Sequence, residues 1–263
     1  MSQFAEICWR GREVSVEYGW VNAESARGPL IVFLHEGLGS LAMWKDFPAR
    51  LCAAVGARGL VFSRPGYGRS TPRPSEEQWG VDFMHQQAYE ILPRLLHALG
   101  IEQSVWLFGH SDGGSIALLH AAMHPEKTAG LVLLAPHIFV EDITIQNIQR
   151  AKMEYETGNL RAGLAKYHAH PDSAFWGWNS IWLNPDFRSW DISDEISGVH
   201  CPVLAIQGLD DAYGTLAQIR GIAERVATTQ LMEVPHCGHS PHRDQPEQVV
   251  AATRDFIHQR RQT

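Results

Sequence analysis

The sequence predicts an α/β fold: a mostly parallel sheet covered by helices on both faces, interrupted once by an all-helical insertion. Three observations carry this. Short apolar runs recur along the chain, "PLIVFL", "SVWLFG", "LVLLAP" and "PVLAIQG", and such runs suit strands buried on both faces of a sheet. Stretches with helical apolar spacing separate them, which is the alternation of a parallel sheet. Between residues 138 and 198 no strand-like run occurs.

Taken in order, "EICWRG" and "VSVEYGW" read as two strands joined by a turn at Gly11-Arg12. "PLIVFL" is a buried strand ending in "HEGLGS". A helix is expected around Trp44 to Val55, followed by the strand "GLVFSR" and the loop "PGYGRSTPRP". Residues 82–99 read as one helix that Pro93 bends. Next come the strand "SVWLFG", a glycine-rich turn, and the helix "GSIALLHAAMH". "LVLLAP" leads into the insertion, where "TIQNIQRAKMEYETG", "LRAGLAKYHAH" and "AFWGWNSIWL" read as short helices. "PVLAIQG", a helix near 215–227, the strand "LMEVP" and a helix over 245–260 complete the chain. Residues 1–137 and 199–263 are thus expected to form the core domain, and 138–198 a helical cap.

The 263 residues fit one such domain with an insertion, and 44% hydrophobic with 19% charged residues is ordinary for a globular enzyme. The net charge of -7 and the scattered Lys and Arg argue against nucleic acid or an anionic membrane as partner. No apolar segment reaches spanning length, and the first residues lack an apolar run with a basic flank, so no signal peptide is expected. Cys8, Cys52, Cys201 and Cys237 form no CxxC pair. That argues against a disulfide framework or a thiolate zinc site and fits a reducing, cytoplasmic setting. The expected partner is a small-molecule substrate, with the chain a monomer or homodimer.

"LFGHSDGGS" carries the chemistry. Ser111 and Asp112 stand side by side between a strand and a helix, and either residue type can serve as a nucleophile. A nucleophile elbow pushes its central side chain outward from a strained turn, so the residues two before and two after must be small. Around Ser111 these are Gly109 and Gly113; around Asp112 one would be His110. The register selects serine, which disfavours the epoxide hydrolases and dehalogenases that need a central aspartate. Asp112 becomes the first helical residue. Its backbone N–H then points at the reacting carbonyl as an oxyanion donor, and its side chain is expected to turn away.

Serine needs a base, and the base needs an orienting acid. Two later strand-end loops offer them: "QGLDDAYG" with Asp210 and Asp211, and "HCGHSPHRDQP" with His236, His239 and His242. With these motifs in the order Ser, Asp, His, the chain resembles the α/β-hydrolase-fold serine hydrolases over nearly its full length. The resemblance selects Asp211, three residues after a strand-end glycine, and His239, the histidine of a Gly-His pair. It makes Gly37 the second oxyanion donor, places the cap at 138–198, and implies a cofactor-independent enzyme. The spacing His236-x-x-His239-x-x-His242 lacks the helical HExxH context, so no metal is expected.

Glu36 departs from the family pattern, which has glycine after the histidine of "LHEGLGS". A buried carboxylate needs a partner, and Arg64 or Arg69 is the expected one, a part in substrate recognition being the alternative. His110 is expected to pack beside the elbow. His137 edges the pocket or simply opens the cap. Trp176, Trp178 and Trp182 either line the pocket or form the cap's own core. The expected activity is hydrolysis of a small carboxylic ester through an acyl-enzyme on Ser111. C–C bond hydrolase, thioesterase and perhydrolase chemistries share the triad. A non-catalytic ligand receptor of the same fold is the reading from another class, and it would turn over no aryl ester.

Overall fold

Residues 30–34 show why the sheet forms. In the computed structural model, which describes residues 2–24 and 28–260, Leu30, Val32 and Leu34 join one apolar cluster while Ile31 and Phe33 join another on the opposite face. The same split divides Val105 and Leu107 from Trp106 and Phe108. Every side chain of these strands is buried, so an unbroken apolar run is what the position demands.

Eight strands are present among the described residues: β1 (Gln3–Trp9), β2 (Arg12–Val21), β3 (Leu30–Leu34), β4 (Arg58–Phe62), β5 (Val105–His110), β6 (Thr128–Leu134), β7 (Val203–Gly208) and β8 (Thr229–Val234). Their order is β1-β2-β4-β3-β5-β6-β7-β8. β1 and β2 form an antiparallel hairpin, β2 pairs antiparallel with β4, and the remaining pairs are parallel. The hairpin turn sits at Arg10-Gly11, one residue earlier than expected. Both residues there have positive φ, 51° and 71°, the backbone twist of a tight two-residue hairpin.

Two expected helices are broken. The stretch 44–55 divides into a 3₁₀ turn at Leu41–Trp44 and a helix at Phe47–Val55, with Lys45 at φ 53° between them. Residues 82–99 remain helical but form Phe83–Gln86, a widened π turn at Gln87–Ile91, and Leu92–Ala98. Pro93 has no N–H to donate and its ring crowds the preceding turn, so the helix widens where a simple bend was expected.

Between β6 and β7 the chain forms helices Asp142–Thr157, Leu160–Leu164 and Pro171–Trp182, then two 3₁₀ turns. A single bridge, Phe139 to Asp191, ties its entry to its exit. Phe175 stacks on Tyr155 at 3.7 Å between ring centres. Phe175 and Trp182 belong to the same apolar cluster as Leu118 and Leu133 of the core. The helical segment therefore shares one core with the sheet.

Candidate active site

The turn after β5 is strained where the sequence reading placed the strain. Ser111 has φ 53° and ψ -120°, a conformation costing on the order of 1–3 kcal/mol that packing must hold in place. Its flanking glycines leave no room for a side chain. A Cβ on Gly109 would lie 2.3 Å from the Gly113 carbonyl oxygen, and one on Gly113 would lie 2.1 Å from that of Leu34. Both obstacles are backbone, so neither can yield cheaply.

From this turn the Ser111 hydroxyl reaches His239 Nε2 at 3.0 Å. His239 Nδ1 lies 2.9 Å from each carboxylate oxygen of Asp211. A carboxylate can only accept, so Nδ1 carries the proton and Nε2 is left to accept from the serine. Asp211 is held in turn by Gln207 Nε2 at 2.6 Å and by the Tyr213 backbone N–H at 2.7 Å. Burial raises the Asp211 pKa, but the His239 hydrogen bond and charge and the Tyr213 N–H outweigh it, leaving the carboxyl below its usual range. Asp210 is exposed and its backbone N–H bonds Cys237. His236 is also exposed, away from the site. No group of three or more potential metal ligands occurs among the described residues.

Across the cavity, the peptide between Glu36 and Gly37 is fixed by its carbonyl. That oxygen accepts from His35 Nδ1 at 2.7 Å, Arg64 Nη2 at 2.9 Å and the Gly39 N–H at 3.0 Å. In a trans peptide the N–H points opposite to the C=O, so Gly37 N–H faces away from this cluster. Arg64 thus holds the backbone of Glu36 and not its carboxylate, contrary to expectation. The carboxylate lies 3.3 Å from Arg243 and 3.5 Å from Nδ1 of the buried His110. Burial raises the Glu36 pKa, but His110, Arg243 and His242 outweigh it and hold it well below the ordinary value. Arg69 is elsewhere, over the Phe4 ring. His110 Nε2 donates to the His239 carbonyl at 2.7 Å, so the residue expected merely to pack beside the elbow also grips the loop that carries His239.

Asp112 turns aside as expected. Its Oδ1 accepts from Trp182 Nε1 at 3.2 Å, and Oδ2 is 4.0 Å from Arg64. Burial pushes its pKa up to about 6, against the pull of Arg64 and Trp182. His137 is buried against Trp182, and burial followed by the nearby His239 pushes its pKa down to about 3, so its ring is neutral at pH 7.

A cavity of about 130 Å³ opens onto Ser111 and His239, walled by Glu36, Gly37, His110, Asp112 and His137 on the sheet side. Thr144, Ile148, Trp178 and Trp182 close it from the helical segment. Trp176 is not there. It packs edge-on to Tyr155 beneath Lys152, facing the opposite way. A wider cleft of about 850 Å³ lies behind Asp211, bordered by Arg220 and Glu224, but neither Ser111 nor His239 lines it.

The family model described as "Alpha/beta hydrolase family" matches residues 31–252. The chain belongs to the alpha/beta hydrolase family. This hydrolase is 23% identical over 261 residues to a 2-hydroxy-6-oxo-6-phenylhexa-2,4-dienoate hydrolase of Burkholderia cepacia, covering 89% of each chain. It is 26% identical over 267 residues to a pimeloyl-acyl-carrier-protein methyl ester esterase of Aromatoleum aromaticum, covering 87% of this chain and 98% of that one. Among solved structures it superposes on a thermophilic esterase from Thermogutta terrifontis with a TM-score of 0.77 at 20% identity, over 99% of both chains. The fold is therefore the α/β-hydrolase fold.

Residues that sequence reading passed over complete the site. Gln207 sits within a strand read only as an apolar run; a lone polar side chain there was a signal. Tyr213 stands in the same loop as Asp211, its ring 4.8 Å from that of His239. Its carbonyl accepts from the Thr144 hydroxyl, tying the acid loop to the helical segment. Arg243 and Ile148 offered no local pattern.

Proposed function

We propose that this enzyme hydrolyses a small, uncharged carboxylic ester through an acyl-enzyme on Ser111, with 138–198 acting as the cap over the site. The observation that carries this reading is the unbroken hydrogen-bonded line from Ser111 through His239 to Asp211, starting from the strained turn. Ser111 Oγ attacks the ester carbonyl as its proton passes to His239 Nε2. Asp211 keeps the imidazole in the right tautomer and stabilises its cation. The backbone N–H groups of Gly37 and Asp112 receive the oxyanion. His239 then protonates the departing alcohol oxygen as the C–O bond breaks. Water adds to the acyl carbon, giving its proton to His239, and Ser111 recovers that proton as the acid leaves.

The lining supports a small, neutral substrate: the cavity holds about 130 Å³ and neither Lys nor Arg is among its lining residues. C–C bond hydrolysis is the second reading, favoured by the likeness to the Burkholderia dienoate hydrolase. A dienoate brings a carboxylate, for which the cavity lining offers the Glu36 side chain and no Lys or Arg. No helix among the described residues is long and apolar enough to cross a membrane, and four unpaired thiols suit a reducing, cytoplasmic setting.

A panel of model esters, thioesters and vinylogous diketones ranked by kcat/KM tests the substrate class, with short-chain esters expected first. A diketone ranked first would favour the second reading. A fluorophosphonate probe should label Ser111, and Ser111→Ala should lose labelling and turnover. Asp112→Asn should keep the label, because its contribution is a backbone N–H. Full activity in Ser111→Ala would end the proposal.

A further inference from the structure

Trp178 packs its indole nitrogen into the space that a side chain at position 37 would occupy, beside the proposed oxyanion site. A Cβ built on Gly37 would lie 2.1 Å from Trp178 Nε1 and 2.3 Å from its Cδ1. The indole nitrogen is thus set against the backbone of the residue whose N–H is proposed to hold the oxyanion. Trp178 is largely buried, at 7% exposure, and its ring borders the cavity that Ser111 opens into. Among the described residues, no acceptor is in place for its N–H. Trp182, one turn further along the same helix, donates to Asp112, whereas the Nε1 groups of Trp44 and Trp190 are sealed inside the protein. An indole N–H left without an acceptor at a cavity wall is a donor available to whatever fills the cavity.

We infer that Trp178 Nε1–H is a third donor to the substrate oxygen that becomes the oxyanion. This rests on the acyl-enzyme reading above. The reach follows from bond geometry. The ideal Cβ position lies about 2.5 Å from the Gly37 nitrogen. Together with the 2.1 Å to Nε1, this puts the two nitrogens no more than about 4.6 Å apart. Two N–H donors that each hold one oxygen at about 2.9 Å stand no more than roughly 5.8 Å apart, and this pair lies inside that limit. As Ser111 Oγ bonds the carbonyl carbon, charge gathers on that oxygen and the indole hydrogen bond strengthens. The contribution therefore falls on the chemical step more than on binding. It also makes the seating of helix Pro171–Trp182 a condition for fast chemistry, because only that helix delivers the donor.

The test keeps the aromatic ring and removes the N–H. Trp178→Phe should lower kcat on p-nitrophenyl acetate by roughly 10- to 100-fold, at or below the usual loss for one oxyanion donor, with KM changed less than about threefold. Replacing the indole by its isosteric benzothiophene should give the same kcat loss without altering volume, so a misfolded Phe variant cannot imitate the result. Trp176→Phe, away from the cavity, should leave both constants unchanged. Independently, the indole ¹H–¹⁵N resonance of Trp178 should move downfield when a phosphonate occupies Ser111. Unchanged kcat in the benzothiophene variant, or an unmoved resonance on a labelled enzyme, overturns the inference about Trp178 alone. Failure of the phosphonate to label wild-type Ser111 overturns the acyl-enzyme reading and this inference with it.

Discussion

The two walls of the cavity are made by different physics. The sheet-side wall is set by backbone. Gly109 and Gly113 meet carbonyl oxygens, Ser111 is forced to φ 53°, and the Glu36 carbonyl is pinned by three donors. The wall from the helical segment is set by side-chain packing: Trp182 against Phe187 and Trp190, and Phe175 on Tyr155. Backbone constraints leave few permitted residues at fixed spacings, so they can be read from sequence. Packing admits many combinations, so it cannot. On the proposed reading the triad and both backbone donors belong to the first wall and substrate choice to the second. Trp178 is the one donor inferred to cross from the second wall, and the following outcomes would separate the two.

The largest effect should come from the sheet side. Asp211→Asn should reduce kcat by on the order of 10⁴, because an amide no longer fixes the Nδ1–H tautomer of His239 or offsets its charge. Asp210→Asn should change kcat less than about threefold, since Asp210 is exposed. Steady-state kinetics on one aryl ester decides it, and the reverse ranking would remove Asp211 from the proposed machinery.

The segment wall should respond in stability and specificity together. Trp182 is fully buried and donates to Asp112, so Trp182→Ala should cost about 3–5 kcal/mol and raise KM more for bulky esters than for acetates. Trp176→Ala should cost less than about 1 kcal/mol and leave KM alone, its ring being only half-buried and outside the cavity. Urea melts and KM values across an ester series would show the contrast. Equal KM effects from both variants would mean that the cavity wall is not what selects substrate.

These residues also show where sequence reading stopped. The succession of strands and helices along the chain, the elbow register and the meeting of Ser111, Asp211 and His239 were legible, because strand ends and glycine positions restrict where those side chains go. Trp178 and Trp182 are four apart, on one helix face, while Trp176 lies two residues from Trp178 and so points nearly opposite. Helical spacing alone would have set Trp176 apart. Nothing local could have paired Glu36 with Arg243, 207 residues later. The expectation of Arg64 or Arg69 failed because the nearer cation was needed for the Glu36 carbonyl. The π turn before Pro93 was hidden as well, since a missing N–H predicts a disturbance but not its form.

The smallest effect tests the seam between the walls, where Asp112 of the elbow meets Trp182 of the segment. Asp112 is buried and its pKa is pushed up to about 6 from an ordinary value of 3.8. The folded state therefore holds this proton to a higher pH than the unfolded chain does. A raised carboxyl pKa contributes stability that is fully present below about pH 4 and lost as pH rises through about 6. Its size is on the order of 2–3 kcal/mol. Asp211 and Glu36, with lowered pKa values, act in the opposite direction at lower pH, so the wild-type profile alone is ambiguous. The comparison with Asp112→Asn is not, because the amide still accepts from Trp182 but cannot titrate. The stability of wild type minus that of Asp112→Asn, from urea melts at several pH values, should fall by about 2 kcal/mol between pH 4 and pH 7. A difference that stays flat would mean Asp112 is already ionised at low pH. In that case Arg64, 4.0 Å away, would be stabilising the charge more than burial opposes it.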